Sequence, residues 1–390
     1  MPPEYCYLSD VADITVGYPF ESEQFNTDGI GVKLVRGMNV TTGSFRWGED
    51  SRWWSYLTED LEPFYLKADD IIVGMDGSRV GRNYAKVLES DLPLLLVQRV
   101  ACIRAKSGID QNYLWSCISS TAFEEYIDLV KTGTTIPHIS SKQIGEYPVP
   151  KLDLKKQQAV GKFSRLLDNK IYHNEKINDN LLAIANQLYD QYFPYVVGDE
   201  LPNGWKEGKL GDIIEIHDSK RIPLSGKERS ERAKIYPYYG AASITDYVDD
   251  YIFDGIYLLL GEDGTVVTDS GAPVIQYVFG KFWVNNHAHI LTGKNGFSVE
   301  TLYLLCQRLN IDAIITGAVQ PKISQANLKG IEIVIPPEDI IKDFSEKVDS
   351  LFSIHRNNTL ECERLKTIRN QLLPKLMSGE IDVSTLEIPN

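Results

Sequence analysis

Two long stretches of the chain carry apolar residues at alternating three- and four-residue spacings. The first runs from about Leu154 to Phe193 and the second from about Glu338 to Met377. A seam kept up over about five heptads is typical of a coiled coil. We therefore predict two long helices, each roughly 55–60 Å at 1.5 Å per residue, that pair antiparallel within the chain. The alternative is a pair of core helices in a larger α-domain.

The predicted seam is interrupted by a polar residue at the same place in both helices. Asn174 and Asn358 are 184 positions apart, each near the middle of its helix. In an antiparallel pair the two fall opposite each other, and a paired polar seam residue fixes helix register at some cost in stability. The alternative is that each asparagine lies at the edge of the seam, in water.

A repeat accompanies the two helices. Residues 132–140 read TGTTIPHIS, and residues 316–324 read TGAVQPKIS; NQL at 186–188 recurs at 370–372 with the same offset. Solenoid repeats have periods of 20–50 residues, so two copies this far apart indicate a duplicated half instead. We predict that each half consists of one globular domain and one helix; a chain built this way can present two similar surfaces related by a pseudo-two-fold axis.

Outside the helices, short apolar runs alternate with Gly, Asp, Asn and Pro, a pattern typical of strands joined by turns. We predict an α+β fold in which two mixed α/β domains are separated by the two long helices. The predicted division is 1–152 for the first domain, 153–195 for the first helix, 196–336 for the second domain, and 337–390 for the second helix and tail.

Composition and charge limit the classes of function that fit this chain. The formal net charge of −14 argues against broad, non-specific nucleic-acid binding, but binding depends on the local field. Residues 217–237 hold six Lys or Arg against three acids, whereas residues 245–269 hold seven acids and no Lys or Arg. The five scattered cysteines indicate reduced thiols, and the apolar runs are too short to span a bilayer. We expect a cytoplasmic protein with no membrane partner.

Several segments resemble type I restriction–modification specificity subunits (the HsdS family). Residues 17–26 (GYPFESEQFN), 236–264 (YPYYGAASITDYVDDYIFDGIYLLLGEDG) and 280–291 (GKFWVNNHAHIL) are similar to motifs of the target-recognition domains of that family. Residues 166–193 and 365–383 (LKTIRNQLLPKLMSGEIDV) resemble its two helical regions. The resemblance covers essentially the full chain, in the expected order of domain, helix, domain, helix.

The resemblance implies a subunit without a catalytic centre that binds double-stranded DNA. Each recognition domain would read one half of a bipartite site, while the helices would act as spacer and as docking platform. The implied partners are two methyltransferase subunits, joined by restriction subunits, and these would carry S-adenosylmethionine, ATP and magnesium. The alternative function is a non-catalytic coiled-coil scaffold that binds only protein.

The sequence itself agrees with a non-catalytic role. It contains no G-x-x-x-x-G-K-[ST], no G-x-S-x-G and no H-E-x-x-H. His287 and His289 are two positions apart on a probable strand, but as a metal pair they lack nearby third and fourth ligands. Structural hydrogen bonding and a role in DNA contact or loop ordering are the alternatives for these histidines.

In the first domain we predict DNA contacts around the glycine-rich loop at 74–82. Glycine lets the backbone approach a ligand closely, and arginine can pair bidentately with guanine. The candidates are Arg36, Ser78, Arg79 and Arg82. Phosphate contact and ordinary turn chemistry remain the alternatives.

In the second domain the basic stretch after His217 resembles a mobile loop that becomes ordered on phosphates; a solvated charged loop is the alternative. The candidates there and in the neighbouring motifs are Lys220, Arg221, Lys227, Arg229, Tyr239, Asn285 and His287. The repeated segment at 132–140 and 316–324 is either a shared DNA contact or a shared structural joint, and we favour the joint.

Overall fold

The computed structural model describes residues 4–133, 135–317 and 320–383. The chain forms two compact units. The first unit contains residues 1–172 and 362–390, and the second contains residues 173–361. The unit boundaries fall inside both long helices, so each helix contributes one half to each unit.

In the first unit, a five-stranded sheet has the order β2-β9-β6-β7-β4, a three-stranded sheet the order β5-β3-β8, and β1 pairs with β10. The elements are β1 (Tyr5–Tyr7), α1 (Leu8–Val11), β2 (Ala12–Val16), β3 (Val32–Val35), β4 (Thr42–Gly43), β5 (Trp53–Trp54), β6 (Ile71–Gly74), β7 (Tyr84–Lys86), β8 (Leu94–Leu96), β9 (Val100–Ala105), α2 (Gln111–Ile118), α3 (Thr121–Val130), α4 (Ser141–Gly145), β10 (Pro148–Pro150) and α5 (Leu154–Tyr192).

In the second unit, a six-stranded sheet has the order β12-β17-β15-β16-β13-β14, and β11 pairs with β18. The elements are β11 (Lys206–Lys209), β12 (Ile214–Ile216), α6 (Gly226–Ser230), β13 (Tyr236–Tyr239), β14 (Ile244–Val248), β15 (Phe253–Gly261), β16 (Ile275–Val284), β17 (Ala288–Gly293), α7 (Val299–Cys306), α8 (Gln325–Gly330), β18 (Glu332–Ile335) and α9 (Glu338–Met377).

The central strands of the two units correspond. In the first unit β9 lies between β2 and β6, and in the second unit β17 lies between β12 and β15, all antiparallel. These strands are built from branched aliphatic residues with almost no exposure, such as Ile71 and Ile103 in the first unit and Leu258 and Ile290 in the second. The predicted mixed α/β domains are therefore confirmed.

The two predicted long helices are also confirmed, as α5 and α9. Within each unit they run antiparallel: Ile171 and Asp168 contact Cys362 and Arg369 in the first unit, and Asn178 and Tyr192 contact His355 and Asp343 in the second. In the first unit Arg369 Nη1 of α9 lies 2.8 Å from Asp168 Oδ1 of α5, and Asp168 also accepts a hydrogen bond from Trp115 Nε1 at 2.7 Å. In the second unit Arg308, just after α7, binds Asp190 of α5 at 2.7 Å. The α5 half of each unit is thus fixed to the domain of that unit.

The seam asparagines do not pair as predicted. Asn174 is buried and donates to Glu361 Oε2 at 2.6 Å, whereas Asn358 donates to Asn178 Oδ1 at 3.0 Å. Asn178, one turn beyond Asn174, also donates to the His355 carbonyl at 3.2 Å. The polar seam is real, but the helices are offset by about one turn from the register that would place Asn174 opposite Asn358.

In the described part of the chain, no helix combines the length and the apolar character that a bilayer span requires.

Candidate nucleic-acid interface

The first unit carries a tight turn after β6, formed by Met75, Asp76 and Gly77, which we name the first D-G turn. A segment further along the chain grips this turn by its backbone. Gly77 N donates to the Pro137 carbonyl at 3.0 Å, and Ile139 N donates to the Met75 carbonyl at 2.8 Å. The turn is therefore held in place by the repeated segment at 132–140.

The second unit repeats this arrangement. The second D-G turn, formed by Glu262, Asp263 and Gly264, follows β15. Gly264 N donates to the Pro321 carbonyl at 2.9 Å, and Ile323 N donates to the Glu262 carbonyl at 2.8 Å. The same two hydrogen bonds thus join the same positions in both units.

The two segments that hold the turns also form the same internal backbone hydrogen bonds. Thr132 and His138 exchange two backbone hydrogen bonds, as do Thr316 and Lys322. Gly133 has φ +87° and Gly317 has φ +90°, a left-handed conformation that a side chain disfavours. The repeated Thr-Gly pair is therefore a structural joint, the interpretation that the sequence favoured.

The D-G turn is a second repeat that the sequence analysis missed. Residues 74–78 read GMDGS and residues 261–265 read GEDGT, 187 positions apart. The other repeats share an offset of 184, so three residues of length difference between the units hide this one. A search that allowed short insertions between repeats would have found it.

Opposite each D-G turn lies a two-residue link with an amide followed by a basic side chain. In the first unit Gln98 and Arg99 directly precede β9, and in the second Asn286 and His287 directly precede β17. The Met75 N–H donates to the Arg99 carbonyl at 2.9 Å, and the Glu262 N–H donates to the His287 carbonyl at 2.8 Å. We name these pairs the amide–base links.

Each basic side chain of a link faces the aspartate of its turn. Arg99 Nη1 is 4.0 Å from Asp76 Oδ2, while 65% of the arginine side chain stays exposed. His287 Nδ1 forms a hydrogen bond with Asp263 Oδ1, and 44% of its side chain is exposed. Because a carboxylate can only accept, Nδ1 carries the proton, and the Nε2 edge is the one left for an external partner.

Behind the second link lies a buried ion network with four members. His289 Nδ1 is 2.6 Å from Asp218 Oδ2, and Arg221 Nη1 is 2.6 Å from Glu262 Oε2. The same Arg221 atom donates to the carbonyls of Asn286 and Ala288, at 3.3 and 2.9 Å. Arg221 therefore holds the second amide–base link from inside the domain.

The network shifts the pKa values of two of its members. Burial alone would lower the pKa of His289, but hydrogen bonds to Asp218 and to the Ile323 carbonyl, and the charges of Asp218 and Glu262, raise it. Burial would likewise raise the pKa of Asp218, but His289, the Ile290 N–H and Arg221 lower it. Both imidazole nitrogens face acceptors, so His289 is a buried imidazolium ion.

The ligand atoms of Asp218, Glu262 and His289 lie within 4.8 Å of one another, a spacing that could suit a metal ion. This cluster does not contain His287, so it is not the histidine pair considered from the sequence; the partners of His289 come from distant parts of the chain. A metal ligand must be deprotonated, however, and here both imidazole nitrogens bind acceptors, while Arg221 and Lys322 already neutralise Glu262. The donor set thus fits an ion network of the protein itself.

The predicted residues of the first unit are in different environments. Ser78 and Arg79 are exposed beside the D-G turn, and Arg79 donates to Thr42 Oγ1 at 3.3 Å. Arg36 donates to the Asp50 carbonyl, and burial together with the charge of Arg52 lowers its pKa, although Asp50 opposes this. A Cβ atom on the neighbouring Gly37 would lie 3.3 Å from Asp76 Oδ1, so this segment adjoins the turn.

Arg82 lies apart from that group. It pairs with Glu124 at 3.3 Å and Asp128 at 3.0 Å, both on α3. Its charge is therefore partly neutralised within the protein, and its predicted DNA contact stays a prediction.

The predicted mobile basic loop of the second unit is instead folded against its own acids. Arg229 pairs with Asp246 at 3.1 Å and Arg232 with Asp249 at 3.0 Å, and residues Gly226–Ser230 form α6. Arg221 belongs to the buried network. Of the predicted cations here, Lys220 and Lys227 stay exposed, without an ion pair among the described residues.

The remaining candidates lie near the second amide–base link. Asn285 Oδ1 accepts a hydrogen bond from the His287 N–H at 2.8 Å, and Asn285 N donates to the Tyr239 carbonyl at 3.0 Å. The Tyr239 ring packs edge-on against Phe282, with centroids 5.7 Å apart. Asn285 and Tyr239 therefore shape the link, and His287 is the member that faces outward.

Known proteins share this organisation. A sequence model of the family described as "Type I restriction modification DNA specificity domain" matches residues 4–183 and again residues 202–369, so each match contains one D-G turn and one amide–base link. The type I restriction enzyme MjaIX specificity subunit of Methanocaldococcus jannaschii is 26% identical over 79% of this chain and 77% of its own length.

Two further proteins are similar over different extents. A putative type I restriction enzyme specificity subunit of Haemophilus influenzae is 32% identical over 38% of this chain and 37% of its own length. The crystal structure of the S subunit of a type I restriction–modification system from M. genitalium has a TM-score of 0.57 at 17% identity, over 96% of this chain and 99% of that one. This likeness supports the fold.

The family model covers both halves of the chain, each with its own copy of the turn, the grip and the link. The chain belongs to the family of type I restriction–modification DNA specificity proteins.

Proposed function

We propose that this chain gives a type I restriction–modification complex its DNA specificity, with each unit reading one half of a bipartite site. The observation that carries the proposal is that the D-G turn, the segment that holds it and the amide–base link each occur once in each unit. Each unit holds an exposed polar link beside a gripped D-G turn, and each copy lies inside its own match to the family model. Two separate copies suit two separate half-sites.

The local charges support DNA contact despite the net charge of −14. Most cations of the basic stretch are neutralised internally, but Arg79, Arg99, Lys220, Lys227 and Lys322 keep exposed side chains. Phosphate contacts position a protein on DNA, whereas groove-edge contacts supply specificity. A few exposed cations, of which Arg99 and Lys322 also face acidic side chains, favour specific binding over broad electrostatic binding.

The test is methylation sequencing of cells that express this chain with its cognate methyltransferase subunit. We expect a methylated motif of two short sequences separated by unread base pairs. Cells with the methyltransferase subunit alone serve as the control and should lack the motif. A contiguous motif, or methylation without sequence preference, would contradict the proposal.

We further propose that the paired helices dock two methyltransferase subunits, and that restriction subunits join the complex. The support is that both units repeat the same connection between domain and helix, so one partner type finds two similar sites. S-adenosylmethionine, ATP and magnesium then belong to these partners, and this chain has no catalytic centre. Mass measurement of the co-expressed complex should give two methyltransferase subunits per chain; a one-to-one complex at excess partner would contradict the docking model.

The helices are also proposed to set the distance between half-sites. Inserting four residues into α5 near Asn180 adds about one turn, roughly 6 Å. At about 3.4 Å per base pair, the unread spacer should lengthen by about one to two pairs, less any local unwinding of the coil. An active variant that keeps the original spacing would leave the helices as a docking platform alone.

No observation favours the protein-only scaffold, the alternative that the sequence left open.

A further inference from the structure

We propose that the two amide–base links, Gln98-Arg99 and Asn286-His287, are base-reading positions, one pair for each half-site. In particular, we infer that Arg99 reads a guanine in the half-site of the first unit. The inference rests on the proposed function and names the residues that carry it out. The sequence analysis did not single out Gln98 or Arg99, whereas Asn286 and His287 lie in a segment that it already considered for base reading or positioning.

The first argument is positional equivalence. In the first unit Gly74 pairs with Val100, the residue after Arg99, and in the second unit Gly261 pairs with Ala288, the residue after His287. Because the flanking ladder has the same register in both units, the two links occupy the same place on the same framework. A feature that occurs at the equivalent position in both units suits a function that both units perform, such as the reading of one half-site each.

The second argument is chemical. Each link offers an amide beside a basic side chain, and these are the groups that read major-groove edges: Asn and Gln bind adenine bidentately, and Arg binds guanine bidentately. Gln98 and Asn286 are exposed, and no described residue hydrogen-bonds their side-chain amides. Their hydrogen-bonding capacity is thus available to a ligand.

The third argument is the backbone of Arg99. It has φ +66°, a left-handed conformation that is uncommon for residues other than glycine. Such strained residues persist where the surrounding structure holds them, and they cluster at functional sites. Here hydrogen bonds on both sides fix the segment: Gln98 N donates to the Tyr18 carbonyl, and Met75 N donates to the Arg99 carbonyl, both at 2.9 Å. Glycine would suit this position better, so the arginine side chain is kept for something other than folding.

The fourth argument concerns the groups that hold each basic side chain of the links in place. Asp76 lies within 4.0 Å of Arg99 but does not cover it, because 65% of the side chain remains exposed. Asp263 holds His287 by one nitrogen only, and Arg221 fixes the carbonyls on either side of it. Each aspartate therefore orients a basic group whose outer edge stays free.

The experiment replaces Arg99 by alanine and, separately, by glycine, and measures the methylated motif of the assembled complex by sequencing. Arg99→Gly matters because it suits the positive φ, so its folding stability should equal or exceed that of the natural chain. Both variants should lose discrimination at one guanine of the first half-site by about 10- to 100-fold. The second half-site and the spacer should not change. Arg46→Ala is the matched control, since Arg46 is another exposed arginine of the same unit that lies outside the predicted contact set and donates to the Met38 carbonyl, and its motif should be unaltered.

A gain of recognition sharpens the test. His287→Arg places a guanidinium at the position equivalent to Arg99, and it should introduce a guanine preference at one position of the second half-site only. Asn286→Ala should relax a position in the same half-site.

Three outcomes would overturn the inference. One is an unchanged motif in both Arg99 variants. Another is a uniform loss of binding across all sequences with a salt slope reduced by about one, which indicates a phosphate contact. The third is a change in the second half-site on mutation of the first link. If the natural chain shows no bipartite motif at all, the proposed function fails instead, and the two failures are thereby distinguished.

Discussion

In both units the same backbone hydrogen bonds hold the D-G turn in place. The side chains that pack behind the turn differ: they are charged in the second unit and apolar in the first. Behind the second turn lies the network of Asp218, His289 and Glu262, joined by Arg221. At the equivalent places in the first unit are Val16, Ala101 and Met75, which belong to or pack against an apolar core. Val16 and Ala101 are backbone partners in the sheet. At the equivalent place in the second unit, Asp218 forms a side-chain hydrogen bond with His289.

This difference shows that the grip is specified by the backbone and by the Thr-Gly joint, not by a particular buried side chain. Replacing a buried ion network by apolar residues is often neutral or stabilising, whereas removing one member leaves an unpaired buried charge. The second unit should therefore be sensitive to single substitutions where the first tolerates them. Its network also supports the carbonyls of Asn286 and Ala288, whereas in the first unit the Val100 carbonyl accepts from the Gly17 N–H instead.

The largest effect should come from Asp218→Ala. It leaves the imidazolium of His289 and part of Arg221 unpaired in the interior, and should destabilise the second unit by about 3–5 kcal/mol. The matched change Val16→Ala removes only part of an apolar contact and should cost about 1 kcal/mol in the first unit.

Because two units need not unfold together, hydrogen exchange resolved by segment is the suitable measurement. Protection should fall in β15 and β17 for the first variant, and only slightly in β6 and β9 for the second. Equal losses in both units would mean that the ion network has no special role.

A smaller effect follows when the whole network is exchanged for apolar residues. The variant carrying Asp218→Val, Glu262→Met, His289→Ala and Arg221→Leu gives the second unit the side chains found behind the first turn, with leucine replacing the arginine. No buried charge is then left unpaired, so the second unit should regain most of the roughly 3–5 kcal/mol lost in Asp218→Ala. Exchange in β15 and β17 reports the outcome. A variant as unstable as Asp218→Ala would show that the charges themselves are required.

The sequence predicted what is local and periodic. The helices α5 and α9 follow from the heptad spacing, and the short aliphatic runs became strands such as β6 and β15. The backbone hydrogen bonds that hold the D-G turns could not be predicted in this way. Gly77 and Pro137 are about sixty residues apart, and no local pattern encodes such a pairing. The first amide–base link was missed for a related reason: Gln98 and Arg99 gain significance only when β9 brings them to the D-G turn.

The basic stretch shows a signal that was present but not used. The six cations at 217–237 and the seven acids at 245–269 were treated as separate features, whereas Arg229 and Arg232 pair with Asp246 and Asp249. Two neighbouring segments of opposite charge should have suggested mutual neutralisation. The one-turn offset of Asn358 from Asn174, by contrast, depends on packing that the seam pattern does not specify.

The network predicts a pH dependence confined to the second unit. The folded pKa of His289 is raised, so its contribution to stability is present below about 6.5, the ordinary value for histidine, and is lost as pH rises through the folded value. The folded pKa of Asp218 is lowered, so its contribution is present above about 3.9, its ordinary value, and is lost as pH falls through the folded value.

The contribution of the network to the stability of the second unit should therefore be highest between these limits and decline on the alkaline side. The four-residue exchange variant should lack this profile. Hydrogen exchange of β17 against β9 at a series of pH values, corrected for intrinsic rates, tests both statements. Parallel profiles for the two strands in the natural chain would contradict them.

The smallest effect concerns two adjacent cations that the sequence grouped together. Lys220 is exposed without an ion pair among the described residues, whereas Arg221 is built into the network and only 14% of its side chain is exposed. If Lys220 contacts a phosphate, Lys220→Ala should weaken DNA binding of the assembled complex uniformly across sequences and reduce the salt slope by about one. Folding stability should not change. Arg221→Ala should instead destabilise the second unit and disturb recognition of its half-site, because the carbonyls of Asn286 and Ala288 lose their shared donor. Titration of DNA binding at several salt concentrations, alongside hydrogen exchange, separates the two roles. If both variants change only the salt slope, Arg221 contacts DNA after all, and the second D-G turn does not depend on its network for position.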